Sequence, residues 1–393
     1  MRFWTGGYTA DMGGGADGVG TLLAGSMHDA SAGGPLTYEG AAAPAPSPSW
    51  LARHPSADVV YAALEGIGKV AAFTRTGEAA LARLGPAVEV GENVCHIAVS
   101  PDGGSLIASC YGDGRVVRVS LDAAGTPSNP VAGAPAANPY ALPGEDMPAN
   151  FVLGEASAPA DDGAVLLRDF RASLAAAEEG RSVEEPAAPA AAPQGAGRVS
   201  HAHSAAFLPD GRVATTDLGF DLVRIWRPTA SGLRPDHEIV LPSGSGPRHM
   251  VVHPSGHLHV VTEYSCEVFT LGRNREGRWV LLGGASLAAM AGDTAAELAS
   301  SRDGDFLYAG LRGSNTIATV RVRGAGETVE PVALVESGVD WPRHHIIQRD
   351  TLLVAGQRSN DVTSLTLDLR TGVPGRVRYR AEAPSPTMLL PVG

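Results

Sequence analysis

Charge and aromatic rings are what this 393-residue chain has least of: 18% of its residues are charged and 5% aromatic. With a formal net charge of −12, it has no basic excess to displace counterions from a phosphate backbone, which excludes a general nucleic-acid surface. An anionic partner has to be met by a local cluster of arginines. Cysteine is scarce as well. Cys95, Cys110 and Cys266 cannot all pair with one another, so a disulfide framework is excluded and a reducing compartment is expected. The opening MRFWTGGYTADMGGG lacks a charged stretch followed by an apolar one, and no apolar run is long enough to span a bilayer. These absences together lead us to expect a cytoplasmic protein without membrane partners, monomeric or weakly self-associating.

What the chain does have is 49 glycines, 29 prolines and a hydrophobic fraction of 44%, a mix that suits turn-rich β structure. A turn signal recurs between β-rich runs: HPSADVVYAAL, SPDGGSLIASC, LPDGRVATTDL, HPSGHLHVVTE, SRDGDFLYAGL and QRDTLLVAGQ. With Asp58, Asp102, Asp210, Ser255, Asp303 and Asp350 as markers, the steps are 44, 108, 45, 48 and 47 residues. The outlier is one period plus roughly 60 inserted residues, with the repeat as the ruler.

Each unit carries an apolar strand before the turn, a second strand after it, a polar loop, a third strand such as DLVRIWR, and room for a fourth. Such a unit is a propeller blade. Six blades are visible. A seventh can be assembled from FWTGGYT and GVGTLLAG together with a C-terminal strand around VRYRAEA, which closes the ring and leaves no open edge. The expectation is an all-β, seven-bladed β-propeller, one domain over residues 1–393. An Ala/Pro-rich insertion over 123–200 would separate blades two and three. It contains one helical pattern, GAVLLRDFRASLAAAEEG, with Leu166, Leu167, Phe170 and Leu174 on one face.

Aligning the blades on their turns shows where polar residues gather. Ser49, Cys95, His203, Arg248, Ala296 and Arg343 open the first strand, and His96, His249 and His344 directly follow three of them. The second strand ends in Leu64-Glu65, Cys110-Tyr111, Asp217-Leu218, Glu263-Tyr264, Leu311-Arg312 and Gln357-Arg358. Because the two strands are antiparallel, both slots lie at the same face of the disc. His203, Arg248, Glu263, Arg312 and Arg343 should therefore converge at one mouth of the central channel.

The run GPRHMVVHPSGHLHVVTE places His249, His253 and His257 four apart, a helical spacing. Here that spacing spans strand, turn and strand, so no helical stack forms. His96, His249 and His344 are expected to donate hydrogen bonds between blades, and His253, His257 and His259 to serve blade packing or lie at the surface. His201 and His203 flank Ala202, but no third ligand with recognisable spacing follows, and neither a metal nor another cofactor is expected. Asp217 and Asp221 of DLGFD suit turn amides.

HAHSAAFLPDGRVATTDLGFDLVRIW, GPRHMVVHPSGHLHVVTEYSCEVFTL, ELASSRDGDFLYAGLRGSNTIATVRV and WPRHHIIQRDTLLVAGQRSNDVTSLTLD resemble the lactonase propeller family. That family includes propeller-type 6-phosphogluconolactonases and the carboxymuconate lactonising enzymes of fungi. The resemblance implies a seven-bladed fold and a metal-independent site, with His203, Arg248, Glu263 and Arg312 as its functional residues. Two positions depart from the family pattern: Leu311 stands where an Asn is usual, and blade two reads CYGDG.

The chemistry implied is hydrolysis of a small anionic sugar-acid lactone such as 6-phosphogluconolactone. Glu263 or His203 would act as general base and the other as acid. Arg248 and Arg312 would stabilise an oxyanion or hold an anionic group. Arg343 and Arg358, with His201, Glu65 and His96, are candidates for binding the substrate. A muconate-type cycloisomerase and a non-catalytic binding scaffold are the alternatives, and in the latter Glu263 would simply pair with Arg248 or Arg312.

Overall fold

The computed structural model describes residues 1–26, 31–141 and 197–392. Their strands form seven four-stranded antiparallel sheets. Blades one to six follow one another along the chain with inner strands Pro48–Arg53, Val94–Val99, Ala202–Phe207, Pro247–Val252, Thr294–Ser300 and Pro342–Gln348. The seventh takes its inner strand, Pro386–Pro391, from the C-terminal end of the chain and its other three, Arg2–Gly7, Gly18–Ala24 and Leu36–Pro44, from the N-terminal end. Each inner strand touches the inner strand of the next blade all the way round.

The ring is closed within one blade, as expected, but by a different segment. VRYRAEA belongs to Pro374–Glu382, the outermost strand of blade six, and PTMLLP pairs with the N-terminal strand instead. The blade pattern also reaches further into 123–200 than the composition suggested. Pro127–Ala132 is the fourth strand of blade two, pairing with Val116–Leu121. The helical pattern at 163–180 lies outside the described residues. No helix among the described residues is long and apolar enough to cross a membrane.

The packing explains the sequence pattern. A blade's second strand is covered on both faces by its neighbours, so VVYAAL, SLIASC and TLLVAG are buried at every residue. Apolar side chains gather in seven clusters, one at each interface between blades, such as Val59, Tyr61, Ile97 and Leu106 between blades one and two. Each large side chain buried this way contributes on the order of 1.5–3 kcal/mol. The turn signal has a local cause. Asp102 accepts from the Ser100 hydroxyl at 2.6 Å and from Gly104 N–H at 3.0 Å, while Gly103 takes φ +71°.

One irregularity repeats in all seven inner strands. Near its start each strand slips by one residue against its neighbour: between Pro48 and Trp50, Val94 and His96, Ala202 and Ala205, Pro247 and His249, Ala295 and Leu298, Pro342 and His344, and, opposite Gly6 and Gly7, between Pro386 and Met388. A bulge re-aims the side chain it carries. Here the extra residues are Ser49, Cys95, Arg248, Arg343 and Thr387, with His203 and Glu297 in the longer slips, and all seven line one cavity.

Candidate active site

Those bulges face the mouth where the second strands end, and the sequence-predicted residues meet there. Arg248 projects from the inner strand of blade four, and Glu263 follows the second strand of the same blade, Leu258–Thr262. Arg312 ends the second strand of blade five, Phe306–Arg312. Glu263 lies between the two arginines, with Oε2 2.8 Å from Arg248 Nε and Oε1 3.0 Å from Arg312 Nη2. The first contact is close but off the N–H line, because Arg248 Nε has no aligned acceptor among the described residues. It is an ion pair rather than a linear hydrogen bond. Arg312 is further fixed by donating to the carbonyls of Thr294 and Ala295.

Burial pushes the Glu263 carboxyl upward, but Arg312 and Arg248 outweigh it and hold the group below its ordinary value. Glu263 is thus a stable carboxylate with both oxygens engaged by the arginines. His203 differs. Burial, then the charges of Arg248 and Arg343, hold its imidazole well below the usual histidine range. The ring is neutral at physiological pH, and its buried Nδ1 has no hydrogen-bond partner among the described residues.

Arg343 donates to the Tyr8 hydroxyl at 2.7 Å, and that hydroxyl lies 3.1 and 3.2 Å from the two oxygens of Glu65. This triad joins blades six, seven and one. It engages two expected substrate-binding residues with each other rather than leaving them open. Arg358 does stand open, exposed at the rim with its guanidinium 3.5 Å from the Trp341 ring centroid. His201 stacks on Tyr111 at 4.3 Å and its Nδ1 lies 2.7 Å from the Tyr111 carbonyl, while the Tyr111 ring stands edge-on to His203.

His96 sits deeper, against Trp50 at 4.4 Å, and accepts the Ala205 N–H of the next blade. His344 accepts from Leu389 N–H in the same way, and His249 Nδ1 faces the Leu298 carbonyl at 3.3 Å. The expected interblade bonds are there, although His96 and His344 accept in them rather than donate. Asp217 takes the amides of His201 and Phe220, and Asp221 those of Gly244 and Gly246, as DLGFD suggested.

Reading the sequence by slots missed Glu297, Trp50, Tyr8 and Trp341. Glu297 was within reach, since it follows Ala296 as His96 follows Cys95. In blade five it is the second residue of the slot, not the first, that lines the cavity. Its Oε1 lies 3.3 Å from His249 Nδ1 and 3.9 Å from His344 Nε2. Burial raises its pKa well above the carboxylate range, with Arg248 opposing. The cavity above these groups measures ≈ 20 Å³, a space on the scale of a water molecule. A sugar ring has to sit at the mouth. Among the described residues no three His, Cys, Asp or Glu side chains are grouped to hold a metal ion.

A closed seven-bladed propeller with an Arg–Glu–Arg bridge and a neutral histidine at one mouth of its channel has the form of a small-molecule site on a rigid ring. Residues 2–140 and 162–391 match the model of the lactonase, 7-bladed β-propeller family, and the chain belongs to that family. Among curated relatives it is 29% identical over 203 residues to YwcC of Lactococcus lactis subsp. lactis, a match covering 49% of this chain and 59% of that protein. A Staphylococcus saprophyticus protein, SSP0869, is 32% identical over 183 residues, 45% of this chain and 52% of its own. The chain thus spans little more than half the length of these relatives. Its fold matches a Lactobacillus plantarum protein with TM-score 0.75 and 20% identity, over 99% of this chain and 98% of the other. It also matches the periplasmic gluconolactonase of Pseudomonas aeruginosa, with TM-score 0.73 and 21% identity over the full length of both. At such identities the likeness is one of fold.

Proposed function

We propose that this protein hydrolyses a sugar-acid lactone, with 6-phosphogluconolactone as the first substrate to test. The observation that carries the reading is the pairing of a locked carboxylate with a free base. Glu263 is held ionised between Arg248 and Arg312, while neutral His203 keeps an unpartnered Nδ1 beside the cavity. His203 Nδ1 takes a proton from water as the water oxygen attacks the lactone carbonyl. The oxyanion that forms is stabilised by the guanidiniums of Arg248 and Arg312, which Glu263 holds in place. When the tetrahedral intermediate collapses, the ring C–O bond breaks and the imidazolium returns its proton to the leaving alkoxide, giving the open aldonic acid. Membership of the lactonase family supports the reaction class, and the P. aeruginosa gluconolactonase supports a sugar lactone as its object. Cys95, Cys110 and Cys266 are buried and unpaired, which supports a reducing compartment.

The test is turnover of a panel of sugar lactones, corrected for spontaneous ring opening, by the wild type and by His203→Asn. Acceleration of at least one lactone, with a loss of about 100-fold or more in the variant, is expected. No acceleration of any lactone would sink the proposal, and turnover of a muconate-type dicarboxylate instead would replace it with a cycloisomerase.

A further inference from the structure

Two of the seven inner strands slip further than the others. In blade three His203 and Ser204 stand opposite Thr216 alone, and in blade five Ala296 and Glu297 stand opposite Gly310 alone. A bulge of this kind gives up ladder hydrogen bonds to re-aim a side chain. The same irregularity thus turns His203 and Glu297 into one cavity.

The state of Glu297 follows from its neighbours. His249 Nδ1 lies 3.3 Å from the Leu298 carbonyl, and His344 Nδ1 accepts the Leu389 N–H at 3.3 Å. In the neutral rings His249 therefore carries its proton on Nδ1 and His344 on Nε2. Both of these nitrogens approach Glu297 Oε1, at 3.3 and 3.9 Å. Oε1 is the accepting oxygen, and the proton that burial keeps on this carboxyl sits on Oε2. Ser49 lines the cavity as well. Among the described residues neither Ser49 Oγ nor His203 Nδ1 has a hydrogen-bond partner, and both atoms are buried. The cavity of ≈ 20 Å³ has room for one water and not for a larger nucleophile. A buried water takes about three hydrogen bonds, and a base, a hydroxyl and a neutral acid can supply them.

We propose that this cavity is the seat of the attacking water, and that Glu297 holds the water there against His203 Nδ1, with Ser49 as its third partner. This rests on the hydrolytic reading and adds the place of the nucleophile to it. The water donates one hydrogen to His203 Nδ1 and the other to Ser49 Oγ, and accepts from the Glu297 carboxyl. Its remaining lone pair is left for the lactone carbonyl at the mouth. Glu297 keeps its proton throughout, so the transfers to and from His203 are unaltered. An ionised carboxyl in its place would compete with His203 for the hydrogens of the water, which is the chemical reason for a neutral acid here.

The test is a choice of nucleophile. In water–methanol mixtures the lactone that the wild type turns over best should give the aldonic acid, with methyl ester only at the uncatalysed rate, because the cavity has no room for the methyl group. Glu297→Ala should lower kcat about 100-fold with little change in KM, and should admit methanol. The methanol proton then passes to His203 and from there to the ring oxygen, as the new C–O bond forms and the ring C–O bond breaks, and the methyl ester appears. Glu297→Gln keeps an N–H donor at the same place, so it should stay within about tenfold of the wild type and refuse methanol. A crystal structure of the wild type should show an ordered water within hydrogen-bonding distance of Glu297 and His203 Nδ1. Methyl ester from the wild type above background, an unchanged kcat in Glu297→Ala, or a crystal structure without that water would each overturn the seat and leave the hydrolase reading standing. If no lactone is turned over but the water is found on Glu297 and His203, the hydrolase reading falls and the water site stands.

Discussion

Glu263 Oε2 lies 2.8 Å from Arg248 Nε, joining the two ends of a hairpin whose residues stand fifteen apart in the chain. The same carboxylate reaches Arg312 in the neighbouring blade. Removing one partner of a buried ion pair leaves the other charge without compensation. Glu263→Gln, which strands two guanidiniums, is therefore expected to cost about 3 kcal/mol of stability. It is also expected to lower lactone kcat/KM by about 100-fold. Urea unfolding and steady-state kinetics check the two effects separately, and unchanged stability would show that the pair contributes nothing net.

Acid should weaken the fold from the channel outward. Burial first, then neighbouring positive charge, holds His96, His203, His249 and His344 below the usual histidine range, His249 at about 3. In the unfolded chain these rings titrate near 6.5, at about the free histidine value. Below that pH the unfolded state takes up protons that the folded state refuses, so the histidines' contribution to stability declines as pH falls through about 6 and levels off above about 7. On the same ground, kcat/KM should be flat at neutral pH and drop only on the acid side, where His203 charges.

Glu297 works in the opposite sense. Burial raises its folded pKa, with Arg248 opposing, while the unfolded carboxyl ionises near 4.5. Above that pH the unfolded state releases a proton that the folded state keeps, so this residue takes stability away as pH rises toward its folded pKa. The loss is about 1.4 kcal/mol for each unit of difference. Glu297→Gln should remove that slope, and its stability should exceed the wild type's by a margin that widens as pH rises above about 5. Denaturant midpoints across that range measure it; parallel curves would refute the assignment.

Tyr8 links Arg343 to Glu65 across the closing blade. Tyr8→Phe keeps the ring and removes the hydroxyl between the half-buried Arg343 and the buried Glu65 carboxylate. A cost of about 1–3 kcal/mol is expected, seen as a lowered melting temperature. Glu65→Gln with Tyr8→Phe should cost less than the sum of the two single changes, because both act on one network.

Deleting Pro386–Pro391 should be far more severe. That strand is the inner wall of blade seven and pairs with Trp4, Thr5 and Gly6. Without it an inner edge is left unpaired and the ring opens. The truncated chain is expected to aggregate or to lose its cooperative thermal transition.

Much of this was legible because a blade is a local object. Ser100, Asp102 and Gly103 build the same turn as Ser301, Asp303 and Gly304, so the period could be read from turn chemistry alone. The slot alignment carried Arg248, Glu263, Arg312 and His203 to one mouth for the same reason, since an antiparallel hairpin brings its ends together. Glu297 escaped because the slip in blade five can seat either of two adjacent residues. Tyr8 escaped because the closing blade has no turn marker to align.

The blades, their number and the face on which the polar residues gather are local properties of the chain, because they depend on strand period, turn residues and hairpin pairing within some 45 residues. Which C-terminal strand closes the ring was settled by long-range pairing, since VRYRAEA and PTMLLP are both good strands and the choice depends on partners at the far end of the chain. The tertiary structure also decided protonation. Whether Glu263 is a base or an anchor, and whether His203 is charged, depends on how deeply each is buried and how near Arg248 and Arg312 lie, and no spacing in the chain records those distances.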